Sequence, residues 1–408
     1  MQTRDFPQVT ITKKGTRWVE EGHPWVYEGE VLSLSADIPD GALSDVVTEG
    51  GKYLGTGFYN SRSKIRVRIL SRNANDRFDE AFFARRVRYA LDYRKTVMGN
   101  DFSCCRLIHG EADGFPGLTV DRYSNLLAAE VLSKGIEDRK GQIFRALLAA
   151  LRDGGEVIDG LYERNEGAIR SLEGLEKYKG WYRFEGENVP ASPVTEITEN
   201  GIVYSVDVEN GQKTGFFLDQ KYNRLAVQKL SKGLKVLDCF THTGSFALNA
   251  ARGGAEFVTA VDVSETAIEM ARKNAARNGL EGRMEFLTAD VFDLLPKLQA
   301  EGGRPYDLII LDPPAFTKSR KTADHAEKGY KEINFRAMKI LPRGGFLATA
   351  SCSHFMPNER FEKMLRSAAH DAGVELKQIE VRSQAPDHPV LWSVPETEYL
   401  KFYLFQII

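Results

Sequence analysis

Two short motifs carry the residue types that can do covalent chemistry. Asp312-Pro-Pro-Ala-Phe316 sets a carboxylate ahead of two ring-locked residues, and Thr349-Ala-Ser-Cys-Ser-His354 sets a cysteine after a run of small residues. A thiolate attacks electron-poor carbon, and a nearby carboxylate can hydrogen-bond the ring under attack and stabilise the charge that develops there. The prolines stiffen the first motif because each locks its own φ. Taken singly, Cys352 reads as a small apolar group at a strand end, and an Asp after a strand reads as a cap for the next helix.

The elements that must hold these motifs alternate between strand and helix. An apolar run at 236–239 leads through Asp238-Cys-Phe-Thr-His-Thr-Gly-Ser245 into a helix over 246–252. This puts the carboxyl end of a parallel strand against a helix N-terminus, where open α/β sheets bind nucleotides. Gly244 is the one glycine inside the turn, so a Gly-x-Gly-x-x-Gly pyrophosphate loop is excluded. Strands at 257–262, 284–290 and 306–312 each end in an acid, at Asp262, Asp290 and Asp312. Helices are expected near 265–278, 292–298 and 327–340, with late strands at 345–351, 374–381 and 399–407.

Four successive strands ending in Asp at one sheet edge resemble the class I methyltransferases that use S-adenosylmethionine. The resemblance implies an α/β, Rossmann-like sheet of seven strands with the last one antiparallel. It also implies S-adenosylmethionine across the first three strand ends. Asp262 would then face the ribose hydroxyls, Asp290 the adenine amino group, and the turn bearing Asp238, Phe240, Thr241, Gly244 and Ser245 the amino-acid moiety.

At 408 residues the chain is too long for one ordinary core. We expect three domains: 1–72, a small β-barrel; 73–190, α+β; and 191–408, the catalytic domain. Apolar content of 42% with 27% charged residues describes a globular protein without a membrane-length apolar run or a signal core, and we read it as cytoplasmic with no membrane partner. Four irregularly spaced cysteines, Cys104, Cys105, Cys239 and Cys352, exclude a disulfide scaffold and a zinc site, and no metal is expected. The net charge is only −2, yet 52–95 holds twelve Lys and Arg against four Asp and Glu. Arg85, Arg86 and Arg88 on the helix expected at 78–98 are candidate contacts to nucleic-acid phosphates, with Arg94 and Lys95 on the same exposed face. The alternative is a solvated helix face and a charged edge strand.

Before that helix, short β-type runs alternate with glycine turns: 9–12, 25–27, 31–34, 44–47, 53–59 and 65–70. Within them Gly22-His-Pro-Trp-Val-Tyr-Glu-Gly-Glu-Val31 resembles the opening of the RNA-binding PUA domain. Further on, a hairpin-rich sheet at 105–131, a helix at 136–151, a strand at 157–162 and a polar connector at 172–188 are expected. Asp113-Gly-Phe-Pro-Gly-Leu-Thr-Val-Asp121, Thr214-Gly-Phe-Phe-Leu-Asp-Gln220, Asp312-Pro-Pro-Ala-Phe316 and Ser351-Cys-Ser-His354 together resemble the RlmI-like family of bacterial 23S ribosomal RNA (cytosine-C5) methyltransferases.

That resemblance implies Cys352 as the nucleophile, Asp312 on the pyrimidine edge, Pro313, Pro314 and Phe316 as substrate contacts, and large-subunit ribosomal RNA as partner, naked or in an assembling subunit. A homodimer is left open. The chemistry agrees with the residues. C5 of cytosine is a poor nucleophile, and a thiolate added at C6 pushes electron density onto it. The wider RNA cytosine-C5 methyltransferases often carry a second cysteine in the Asp-Pro motif. Here Pro313-Pro314 stands in its place, so the base that removes the C5 proton is unassigned. His354 is near in sequence, with a side chain that simply points into the fold as the other reading. The other readings are a base-amine methyltransferase, from which displacement of the aromatic to Phe316 detracts, and an RNA-binding assembly protein without turnover.

Overall fold

The computed structural model describes residues 5–316 and 323–408. The chain forms two compact units, one made of Met1–Ile197, Val206–Leu218 and Pro386–Thr397, the other of Thr198–Ser205, Asp219–Ala385 and Glu398–Ile408.

The first unit opens with a six-stranded mixed sheet in the order Trp25–Tyr27, Ile65–Ser71, Tyr53–Tyr59, Leu43–Thr48, Gln8–Ile11 and Val31–Leu34. All six short runs seen in the sequence are strands. A helix at Lys13–Glu20 was not expected there. Only Gly15 and Val19 of its eight residues are buried, so it carries no apolar stripe to read. Its one local signal is Thr12, whose hydroxyl accepts from the Gly15 amide at 3.1 Å.

A five-stranded sheet follows, ordered Tyr178–Trp181, Gly160–Asn165, Leu126–Val131, Leu118–Tyr123 and Cys104–His109. The strand expected at 157–162 lies a few residues later, at Gly160–Asn165. The helix expected at 136–151 is divided into Lys134–Glu137 and Lys140–Asp153. The long helix is Glu80–Met98, capped by the Asp79 carboxylate on the Phe82 amide at 3.0 Å. It starts two residues late because Phe78, with φ +58°, cannot belong to it.

The second unit is built on seven strands in the order Met284–Thr288, Phe257–Asp262, Lys235–Cys239, Leu308–Leu311, Phe346–Ser351, Lys401–Ile407 and Leu376–Arg382. The first five pair in parallel, and Lys401–Ile407 runs antiparallel to both neighbours. Strand order reverses direction between Lys235–Cys239 and Leu308–Leu311, the switch point where such sheets open a crevice. On one face Leu237, Cys239, Val261, Ile309 and Leu311 pack against the helices Val291–Glu301, Ala323–Ile340 and Asn358–Ala372. On strands with a period of two, Val236 and Asp238 then point to the other face, where Ser245–Arg252 and Glu265–Arg277 contact the sheet.

Candidate active site

The parallel register fixes where the acids emerge. Asp238 stands opposite Ala260 on one neighbour and Ile310 on the other, and Asp262 stands opposite Thr288. Asp238 is fully buried. Its Oδ2 accepts from the Thr241 hydroxyl and from the Ala247 amide at 2.9 Å, while Oδ1 has no partner among the described residues. Burial pushes this carboxyl up to about 8, and the nearby Asp312 and Asp262 charges add to the push against the Thr241 hydrogen bond. A buried acid with one unused oxygen at the head of a turn suits a cationic donor such as an ammonium.

The turn itself is tightly wound, with Phe240, His242 and Gly244 all at positive φ. At Gly244 (φ +83°) a Cβ would meet the Ala271 Cβ at 3.0 Å, so glycine serves both the conformation and the close helix approach. Thr241 is tied by its amide to the Val261 carbonyl at 2.9 Å. The Ser245 carbonyl accepts from the Asn249 side chain at 2.8 Å. Asp262 accepts from the amides of His242 and Ser264, each at 2.9 Å, which orients the carboxylate and leaves lone pairs for hydroxyl donors. Asp290 is exposed and caps the Phe292 amide at 2.8 Å, so the ordinary capping role is realised there.

Asp312 and Cys352 leave neighbouring strands, whose last pair is Leu311 with Thr349. Asp312 is half-buried, Pro313 buried and Pro314 exposed. The Gln220 side-chain amide donates to Asp312 Oδ1 at 2.9 Å and accepts from Asn223 at 2.6 Å. Phe316 packs among rings, 4.6 Å from Tyr330, 5.7 Å from Phe292 and 6.4 Å from Phe240. Cys352 is half-buried, whereas Cys104, Cys105 and Cys239 are buried. His354 does not point into the fold. It is exposed and edge-on to Phe355.

Four residues here were missed from sequence. Asp219 and Gln220 lie in a stretch noticed only by resemblance, with no role attached. The Tyr399 hydroxyl donates to Asp219 at 2.7 Å, and Lys401 donates to the carbonyls of Tyr399 and Ser353. The available signal was a lysine inside the apolar run Leu400-Lys-Phe-Tyr-Leu-Phe405.

The basic block belongs to the first unit, and much of its charge is used internally. Arg94 is not exposed as expected. It is fully buried and pairs with Asp113. Arg68 pairs with Glu173 at 2.9 Å, and Arg85 with Asp76 at 3.0 Å. Arg86 donates to the Leu70 carbonyl at 2.8 Å and lies over the Phe82 ring, with burial lowering its pKa. Arg88 and Lys95 are exposed. A cavity of about 790 Å³ is lined by Arg72, Arg85, Arg86, Tyr89 and Tyr93, so an opening in this unit adjoins the basic helix. Among the described residues no group of His, Cys, Asp and Glu is placed to hold a metal, and no helix is long and apolar enough to cross a membrane.

A seven-stranded sheet with an antiparallel last strand and acids along its crevice defines a class I S-adenosylmethionine-dependent methyltransferase. Residues 180–405 match the family model for S-adenosylmethionine-dependent methyltransferases, and residues 9–72 match that for PUA-like domains. The chain is 38% identical to the ribosomal RNA large subunit methyltransferase I of Klebsiella pneumoniae (strain 342), across 99% of each chain. It is 37% identical to the protein of the same name from Enterobacter sp. (strain 638), across 98% of this chain and 99% of that one. It therefore belongs to the ribosomal RNA large subunit methyltransferase I family, and its cofactor is S-adenosylmethionine. A Streptococcus mutans structure described as a SAM-dependent methyltransferase superposes with a TM-score of 0.80 at 21% identity, covering 98% of this chain and 99% of that one. That likeness carries the fold alone.

Proposed function

We propose that this protein methylates C5 of a cytosine in large-subunit ribosomal RNA through a covalent adduct between Cys352 and C6. One observation carries the reading. Of the four thiols only Cys352 is partly open, and it lies beside the strand that ends in Asp312. The names of the relatives support the RNA class, and the PUA-like match at 9–72 supports an RNA-docking module. In this reading 1–72 and 73–190 serve RNA, and 191–408 performs the transfer.

S-adenosylmethionine, when bound, supplies a methyl group on a sulfonium. Asp262 would hold the ribose hydroxyls through its remaining lone pairs, and Asp290 the adenine amino group. Asp238 would hold the ammonium on its unused Oδ1, with Phe240, Thr241, Gly244 and Ser245 shaping that end. The Cys352 thiolate adds to C6, and the displaced π electrons make C5 nucleophilic. Asp312, oriented by Gln220, hydrogen-bonds the pyrimidine edge while charge develops there. Pro313 and Pro314 keep that loop stiff. Phe316 supports it from the aromatic cluster and is thereby less free to stack on a base, which detracts from the amine reading. When the C5 proton leaves, the S–C6 bond breaks and the thiolate is regenerated. Arg85, Arg86 and Arg88 would contact phosphates, with Arg88 the open one of the three.

The test is RNA carrying 5-fluorocytosine at the target, whose fluorine cannot leave as a proton does. The wild-type protein should form a stable adduct that maps to Cys352, and Cys352→Ala should retain S-adenosylmethionine binding but lose methyl transfer. Substantial turnover by Cys352→Ala, with methyl found on an exocyclic amine, would replace this reading by the base-amine one.

A further inference from the structure

Lys401 is almost wholly buried, at 3% exposure, and it is the first residue of the strand second from one edge of the catalytic sheet, paired on both sides. A buried ammonium is costly unless paired. Among the described residues, however, its hydrogen-bond acceptors are two main-chain carbonyls, Ser353 at 2.7 Å and Tyr399 at 2.8 Å, and no carboxylate. Both carbonyls are anchored. Tyr399 is held through its hydroxyl on Asp219. Ser353 follows the last rung of the Phe346–Ser351 ladder, in which Ser351 is paired with Lys401 itself. The residue between Ser351 and Ser353 is Cys352. The titratable groups that act electrostatically on Lys401 are that thiol and Glu398, and Tyr330 faces the same thiol from the helix Ala323–Ile340.

We infer that Lys401 is the proton partner of Cys352: the thiol proton passes from Sγ to Nζ, leaving a thiolate beside a fixed ammonium with no change in total charge. Burial lowers Lys401 to about 8, near enough to an ordinary thiol for the two groups to share one proton. The fixed ammonium favours the thiolate, as a nearby cation does for reactive cysteines generally. Lys401 acts through Cys352 and is therefore a positioning residue. A lysine kept in the core with main-chain carbonyls as its hydrogen-bond acceptors is a perturbed cation of the kind that clusters at functional sites.

The inference rests on Cys352 being the nucleophile, so its test reads the thiol and not the methyl transfer. The full chain is alkylated with iodoacetamide between pH 6 and 10, and the Cys352 peptide is quantified by mass spectrometry. In Lys401→Met the inflection for Cys352 should rise by about one pH unit or more, with reactivity at pH 7 down about tenfold. Lys401→Arg should keep a low inflection because it keeps the cation. S-adenosylmethionine binding reports folding of each variant, and if Lys401→Met does not fold, Lys401→Gln is read in its place. An inflection unchanged by loss of the cation overturns the inference. Turnover by Cys352→Ala would overturn the cytosine reading while leaving this profile interpretable on its own.

Discussion

The side-chain amide of Gln220 donates to Asp312 at 2.9 Å, joining the loop that enters the catalytic sheet to the stiff Asp-Pro-Pro turn. Because Asn223 in turn donates to the Gln220 oxygen, the amide cannot rotate to present its oxygen to the carboxylate without breaking both bonds.

Gln220→Leu should therefore let Asp312 swing while leaving the cofactor crevice alone. A lost hydrogen bond to a charged group is worth about 1–3 kcal/mol, so kcat should fall about 5- to 150-fold. Single-turnover kinetics with calorimetry on the same preparation checks this. Weakened S-adenosylmethionine binding would mean that the amide serves the cofactor.

Asp262→Ala should weaken S-adenosylmethionine by on the order of 2 kcal/mol or more, since a charge-assisted pair to a diol is removed. Its carboxylate also ties the His242 and Ser264 amides, so some loosening of the turn is expected with it. Calorimetry decides it, and an unchanged affinity removes Asp262 from the crevice.

Asp238 gives the binding a pH dependence. Its folded pKa, about 8, lies above the ordinary carboxyl value, so the free protein holds the proton at neutral pH. Stability from this group is full below the unfolded carboxyl range and is lost as pH rises through about 8. An ammonium on Oδ1 favours the carboxylate, so binding near neutrality should expel a proton. Affinity should then rise about tenfold from pH 6 to 7. Titrations in buffers of different ionisation enthalpy should detect that proton in the wild type, and none in Asp238→Asn.

Arg86 and Arg88 of the basic helix should separate. Arg88→Gln should flatten the salt dependence of RNA binding by about one charge and leave stability unchanged. Arg86→Gln should also lower the melting temperature, because its guanidinium holds the Leu70 carbonyl. RNA binding across a salt series, on free ribosomal RNA and on assembling subunits, tests the slopes, and thermal melting tests the Arg86 effect; an unchanged slope for Arg88→Gln would leave it a solvated side chain.

Glu199 and Arg224 form a fully buried bidentate pair, at 2.6 and 2.9 Å. Glu199→Gln removes the bidentate counter-charge of a buried guanidinium and should destabilise the second unit by about 3–5 kcal/mol. Urea unfolding measures it, and a loss within error would mean that water reaches the pair.

The order of strands and helices in the catalytic sheet was legible because parallel strands buried on both faces read as short apolar runs, each stopped here by an acid. Asp238, Asp262, Asp290 and Asp312 could thus be located by spacing alone, and Cys352 by what precedes it. What spacing could not say was which carboxylate is buried with an unused oxygen and which is exposed and caps a helix. Asp238 and Asp290 look alike in the sequence and differ in environment. Nor could it place Lys401 beside Cys352, since 48 intervening residues make that neighbour visible only once the last strand returns antiparallel to pair Lys401 with Ser351. The charge count at 52–95 misled for the same reason. Arg68 and Arg94 are spent on carboxylates distant in sequence, and only folding decides which charges meet each other and which meet water.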